Sequence, residues 1–141
     1  MSEKIAKLKI EDLTLAEMEL HRFAENCGIR LTTPDEKTDK TERDFYRRVV
    51  NLVMTGELTI EEDGTGVYHM KKPPVPAMKT VTFDEPDGVV MRALDVMEKQ
   101  GNFTGMQAFI AAHAKQSLAV IGKVKKRDLD PLTDIATLFL G

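Results

Sequence analysis

Apolar residues recur along this chain with a helical period that is broken once by a short alternating stretch. The first helical signal opens at Thr14, where Glu17 completes a capping box and Leu13 and Met18 stand where a hydrophobic staple would put them. Met18, Leu20, Phe23, Ala24 and Cys27 then share an apolar face, and Gly28 supplies the left-handed stop, so a helix is predicted over 15–27. The polar run 31–40 reads as a loop. A second helix starts near Thr38 or Thr41, with Phe45, Val49, Leu52 and Val53 at core-facing spacing. Arg43, Asp44, Arg47 and Arg48 form its other face, and Gly56 ends it.

After Gly56 the period falls to two. Leu58 and Ile60 alternate with Thr59 and Glu61, Asp63-Gly64 signals a hairpin turn, and Val67-Tyr68-His69-Met70 returns. A two-residue turn sets Ile60 opposite Val67, whereas a three-residue loop through Thr65 sets Ile60 opposite Tyr68 and Leu58 opposite Met70; the pattern leaves both open. A lone ribbon is marginal in water, which makes the alternating Met78-Lys79-Thr80-Val81-Thr82-Phe83 a candidate third strand. Between them lies Lys71-Lys72-Pro73-Pro74-Val75-Pro76, whose prolines remove backbone donors and favour extended geometry, the mark of a linker. Residues 1–11 carry too weak a pattern to choose among strand, short helix and loose arm.

Downstream, Asp84-Glu85-Pro86-Asp87-Gly88 is a turn into a helix over about 89–100, with Val90, Leu94 and Met97 on one face and Gly101-Asn102 as its stop. Met106, Phe109, Ile110, His113, Val120, Ile121 and Val124 continue an apolar stripe, and Ser117 is a candidate cap that would bend it. The last helix begins at Asp128 or Asp130, because Pro131 is tolerated in a first turn, and buries Leu132, Ile135, Ala136, Phe139 and Leu140. The fold class expected is mainly α with a small β-hairpin or short sheet (α+β), five to six helices packed as a compact helical domain. Its parts run 1–72 (helices and hairpin), 73–80 (proline-rich linker and possible strand) and 81–141 (helices).

The 141 residues suit one ordinary domain or two small lobes. With 42% hydrophobic and 30% charged residues the chain is too apolar for wholesale disorder, and a net charge of −3 speaks against a general grip on nucleic acid. The basic cluster Lys123, Lys125, Lys126 and Arg127 is followed at once by Asp128 and Asp130, and reads as a solvated helix end with cations near the C-terminal dipole. No run of 18 apolar residues signals a membrane span and the charged N-terminus lacks an apolar signal core, so the compartment implied is the cytoplasm.

Catalytic chemistry finds no anchor in the sequence. Cys27 is single and reads as a small buried hydrophobe. His21, His69 and His113 fall in three separate elements without metal-ligand spacing; His69 reads as a half-exposed strand residue and His113 as a satisfied core histidine. Gly64-Thr65-Gly66 lacks the Lys-Ser or Lys-Thr of a phosphate loop, and Asp84, Glu85 and Asp87 lack the alternation of a calcium loop. No catalytic residue, cofactor or metal is assigned. What remains is apolar surface. Eight methionines suit a protein that repacks against partners, and a chain that ends in Leu138-Phe139-Leu140 is expected to dock that tail on its own core or on a partner. Met106, Phe109, Ile110, Val120, Ile121, Leu138, Phe139 and Leu140 are the candidate protein-interaction residues.

The order of pieces carries a family resemblance. Asp12-Leu13-Thr14-Leu15-Ala16-Glu17 opens a helix, the run from Thr55-Gly56-Glu57-Leu58 to Asp63-Gly64 makes strand and turn, and Lys72-Pro73-Pro74 makes the break. Val124-Lys125-Lys126-Arg127-Asp128-Leu129-Asp130-Pro131-Leu132 and the closing Ala136-Thr137-Leu138-Phe139-Leu140 complete it. Together these resemble the tail assembly chaperones of long-tailed bacteriophages. The resemblance implies a mostly helical, non-catalytic protein that binds the tape-measure protein, keeps it soluble, recruits tail tube subunits in the host cytoplasm and is absent from the mature virion. Self-association would shield the binding surface while unoccupied. The alternatives are a structural virion component of the tail or connector, and a small helical regulatory or DNA-binding protein using Arg43, Arg47 and Arg48.

Overall fold

The computed structural model describes residues 12–100 and 103–140. Among these, six helices and one antiparallel sheet follow in the order α1 (Leu13–Asn26), α2 (Lys40–Thr55), β1 (Leu58–Ile60), β2 (Gly66–His69), β3 (Thr80–Phe83), α3 (Gly88–Gln100), α4 (Phe103–Ala114), α5 (Leu118–Ile121) and α6 (Lys126–Leu138). Helices make up 54% of the structure, so the α+β class expected from the two periods is the one observed. The expectations for residues 1–11 and for the Gly101-Asn102 stop lie outside the described residues, as do the side chains of Leu94 and Met97.

Asp12 caps α1, not Thr14. Its carboxylate accepts from the Leu15 N–H at 3.2 Å and starts the helix two residues earlier than the capping-box reading; a full negative charge suits the positive helix end better than a hydroxyl. The buried face consists of Ala16, Leu20, Phe23 and Ala24, with Cys27 at the cap. Met18 is excluded from it and 61% exposed, because a residue two positions from Ala16 points to the opposite side of a helix. At the other end Gly28 takes φ +74°, and bonds from Ile29 N to the Ala24 carbonyl (2.8 Å) and from Gly28 N to the Glu25 carbonyl (3.2 Å) close the helix as expected. In α2, capped by Asp39, the core face is Tyr46, Val49, Val50, Leu52 and Val53, while Phe45 is only partly buried.

Leu58 pairs with Tyr68, Thr59 with Val67 and Ile60 with Gly66, so neither expected register is adopted. Glu61 N still bonds the Thr65 carbonyl at 2.8 Å, leaving Glu62-Asp63-Gly64 as the loop, with Gly64 at φ +93°. The reason lies outside the hairpin. A Cβ at position 66 would run into the Phe23 ring, so glycine must occupy that point, and a slip that brought Val67 there would drive its side chain into α1. Arg22 of α1 adds hydrogen bonds to the Glu61 and Glu62 carbonyls at 2.7 and 2.9 Å. β3 pairs with β2, Tyr68 opposite Val81 and Gly66 opposite Phe83, and is the strand the ribbon needed.

Beyond the sheet, Asp87 accepts from Val89 N and Val90 N at 3.0 Å and starts α3. Ser117 caps α5, accepting from Val120 N at 3.3 Å, after a bend in which Lys115 adopts φ +56°. Two sequence expectations fail in α6. The helix starts at Lys126, before Asp128, which leaves Pro131 inside it and not in its first turn. The cations Lys125, Lys126 and Arg127 therefore stand at a helix N-terminus, against the dipole rather than with it. Lys126 is matched by Asp130 at 2.6 Å.

What holds this start in place is Asp128, a fully buried carboxylate. It accepts from the Tyr68 hydroxyl at 2.7 Å, from Lys71 N at 2.8 Å and from Lys72 N at 2.9 Å. Three donors replace the water that a buried charge loses. Residues from both sides of the proline stretch, from Leu20 and Phe23 to Ile135 and Phe139, join one hydrophobic cluster.

Candidate functional site

The apolar stripe singled out as an interaction surface turns inward in this fold. Phe109, Ile110 and Ile121 are fully buried, Leu138 and Phe139 nearly so, and Met106 and Val120 are partly buried against the core. Only Leu140, at 38% exposure, stands in solvent, although it was expected on the buried side of its helix. Phe139 explains the rest: its ring meets Phe23 of α1 edge-on at 6.3 Å and lies 5.0 Å from Phe109 and 6.2 Å from Phe83. The tail docks on its own core because the sheet and α1 offer it aromatic partners.

The exposed apolar residues are elsewhere. Leu13, Leu15 and Met18 occupy the first two turns of α1 at 45%, 52% and 61% exposure; Val89 and Met91 of α3 and Leu118 of α5 are also exposed. Leu15 and Met18 are one turn apart and share a face. The staple reading concealed them. With Asp12 as the cap, Leu13 lies inside the helix and forms no staple with Met18, and both stay exposed.

Next to this face α1, α2 and the 31–39 loop meet in a polar cleft of about 290 Å³. The Tyr46 hydroxyl donates to Glu17 Oε2 at 3.0 Å, and His21 Nε2 lies 3.0 Å from the Tyr46 oxygen and 3.1 Å from Thr33 Oγ1. Burial is the main cause that pushes the Tyr46 phenol up to about 12, and its bond to Glu17 adds to it. Tyr46 thus stays protonated as a donor. The network fastens Thr33 to both helices. Lys40, Arg43 and Arg47 line the same cleft.

Other reactive side chains are equally subdued. The Cys27 thiol is pushed up to about 12, first by burial and then by the nearby Asp84 and Glu85 charges, so it carries no thiolate at neutral pH. His69 is half-buried, as expected; its Nε2 lies 2.9 Å from Thr59 Oγ1 and burial lowers its pKa. Among the described residues no three His, Cys, Asp or Glu side chains converge as a metal-ion site, and no helix is long and apolar enough to cross a membrane. Asp128, the most deeply built polar residue, escaped the sequence reading, since nothing local to Arg127-Asp128-Leu129 announces that Tyr68 lies opposite.

Comparison of the chain with protein families, curated proteins and solved structures returns no match.

Proposed function

We propose that this protein is an assembly chaperone of a long-tailed bacteriophage, binding the tape-measure protein in the host cytoplasm, keeping it soluble and bringing tail tube subunits to it without entering the mature virion. The observation that carries the reading is the pair Leu15 and Met18, two large apolar side chains left in water one turn apart on the same face of α1. A protein that lends surface to an apolar helix needs such side chains outside its own core, at helical spacing. The surface therefore moves from the C-terminal stripe to α1. The resemblance of the α1 opening, the hairpin and the α6 segment to that family supports the same reading, as does the subdued chemistry of Cys27, Tyr46 and His69. Self-association through α1 would cover the face while no partner is bound.

Completing the burial of two half-exposed side chains contributes roughly 1–2 kcal/mol each, enough for a double substitution to abolish binding in the micromolar range. Co-expression of a tape-measure segment with this chain is expected to keep that segment in the soluble fraction. The variant Leu15→Asp/Met18→Asp is expected to lose it to the pellet while the circular dichroism of the chain is unchanged. A tape-measure segment equally soluble with the variant, or insoluble with the native chain, rejects the reading.

A further inference from the structure

Leu15, Met18, Arg22 and Glu25 follow one another three, four and three residues apart, so the exposed apolar pair shares its face of α1 with one cation and one anion. The cation is already matched. Arg22 pairs with Glu19 at 2.6 Å, donates to the Glu61 and Glu62 carbonyls of the hairpin loop, and stands in the field of the Asp63 and Glu62 carboxylates. Glu25, Glu62 and Asp63 are exposed, and among the described residues none of the three forms an ion pair. On its other flank Met18 borders a cleft of about 300 Å³ with Glu17, His21 and Thr33. The α2 cations Lys40, Arg43 and Arg47 line the neighbouring cleft and not this one.

We propose that this face of α1 docks a basic amphipathic helix, its apolar side chains over Leu15 and Met18 and its lysines or arginines against Glu25, Glu62 and Asp63. A partner helix laid along α1 reaches from Leu15 to Glu25 within a rise of roughly 15 Å, about three turns. The surround selects the occupant, because Lys beside a greasy stripe meets opposite charge at the hairpin end whereas Glu there meets like charge. Phosphate-bearing surfaces, a nucleic acid or an anionic membrane, are repelled by the same carboxylates. The inference rests on the α1 face of the chaperone reading and adds the charge of what that face takes.

Fluorescence anisotropy with the full chain and three labelled peptides tests it: a helical peptide with Lys bordering a Leu stripe, the same peptide with Glu for Lys, and a scramble of the basic one. The basic amphipathic peptide is expected to bind at least about tenfold more tightly than either other. Reversing two exposed charges in Glu25→Lys/Glu62→Lys is expected to weaken it about tenfold with circular dichroism unchanged, and Leu15→Ala/Met18→Ala is expected to weaken it as well. An acidic peptide that binds as tightly as the basic one, and is lost with it in the alanine variant, overturns the charge selection and leaves the α1 face standing. If neither amphipathic peptide binds, or the alanine variant binds as the native chain does, the face falls and the inference with it. Equal binding of the scramble, or indifference to the charge reversal, also overturns the proposal.

Discussion

His113 sits against three phenyl rings, Phe83, Phe109 and Phe139, with centroids 4.8, 4.7 and 5.5 Å away. Its Nε2 is buried without a hydrogen-bond partner among the described residues. Burial lowers its pKa from 6.5 to about 4, and a hydrogen bond to the Thr82 backbone together with the charges of Asp87 and Asp84 offsets only part of this. In the unfolded chain the ring takes up a proton near 6.5, in the folded chain only near 4, so between these values the unfolded state binds more protons. Stability therefore falls as pH drops through that window, by about 2 kcal/mol between roughly pH 7.5 and pH 5. Urea unfolding at those two pH values is expected to show this difference for the native chain and to show it reduced by about that amount in His113→Leu. The pKa of His69 is also lowered by burial, so a smaller slope persists in the variant. That His113 packs toward the core was legible from its spacing with Ile110, but the expectation that it is satisfied there fails among the described residues: Nε2 has no partner, because Phe83 and Phe139 arrive from other elements and bring rings and no acceptor.

Helix ends and strand periods followed from local stereochemistry. Gly28 and Gly56 stop α1 and α2 at φ +74° and +81°, and Ser117 caps α5, each where the sequence placed it. Starts were less faithful, because a neighbouring side chain with a stronger claim takes the cap, as Asp12 does from Thr14. Pro131 is the sharpest case. Lodged as the sixth residue of α6, it lacks the N–H that would bond the Arg127 carbonyl. Pro131→Ala is expected to raise stability by roughly 1–3 kcal/mol, less whatever entropy the ring removes from the unfolded chain. Thermal unfolding measures it, and a fall in Tm would mean that α6 needs the ring for packing more than it lacks the bond. Nothing in the local pattern kept α6 from starting after the proline; the tertiary pull came from Asp128.

That carboxylate ties the two sides of the proline stretch together, from α6 to the end of β2 and the Lys71-Lys72 backbone. Losing it would leave three buried or half-buried donors without an acceptor, so Asp128→Ala is expected to cost about 3–5 kcal/mol. Tyr68→Phe removes one bond and leaves the carboxylate two backbone donors, so about 1–2 kcal/mol is expected. A double-mutant cycle in urea is expected to be strongly non-additive; additive losses would show that the Tyr68 bond contributes nothing of its own. Such a clasp depends on residues some sixty positions apart, beyond the reach of any short pattern.

The chain's periodicity and its glycine and proline positions were enough to specify a helical protein with a small sheet, because backbone conformation answers mainly to neighbours within one turn. Which of its apolar stripes would be enclosed was a matter of competition for a limited interior. The aromatic C-terminal stripe won it by packing Phe139 among Phe23, Phe83 and Phe109, and Leu13, Leu15 and Met18 were left outside, where the proposed function begins.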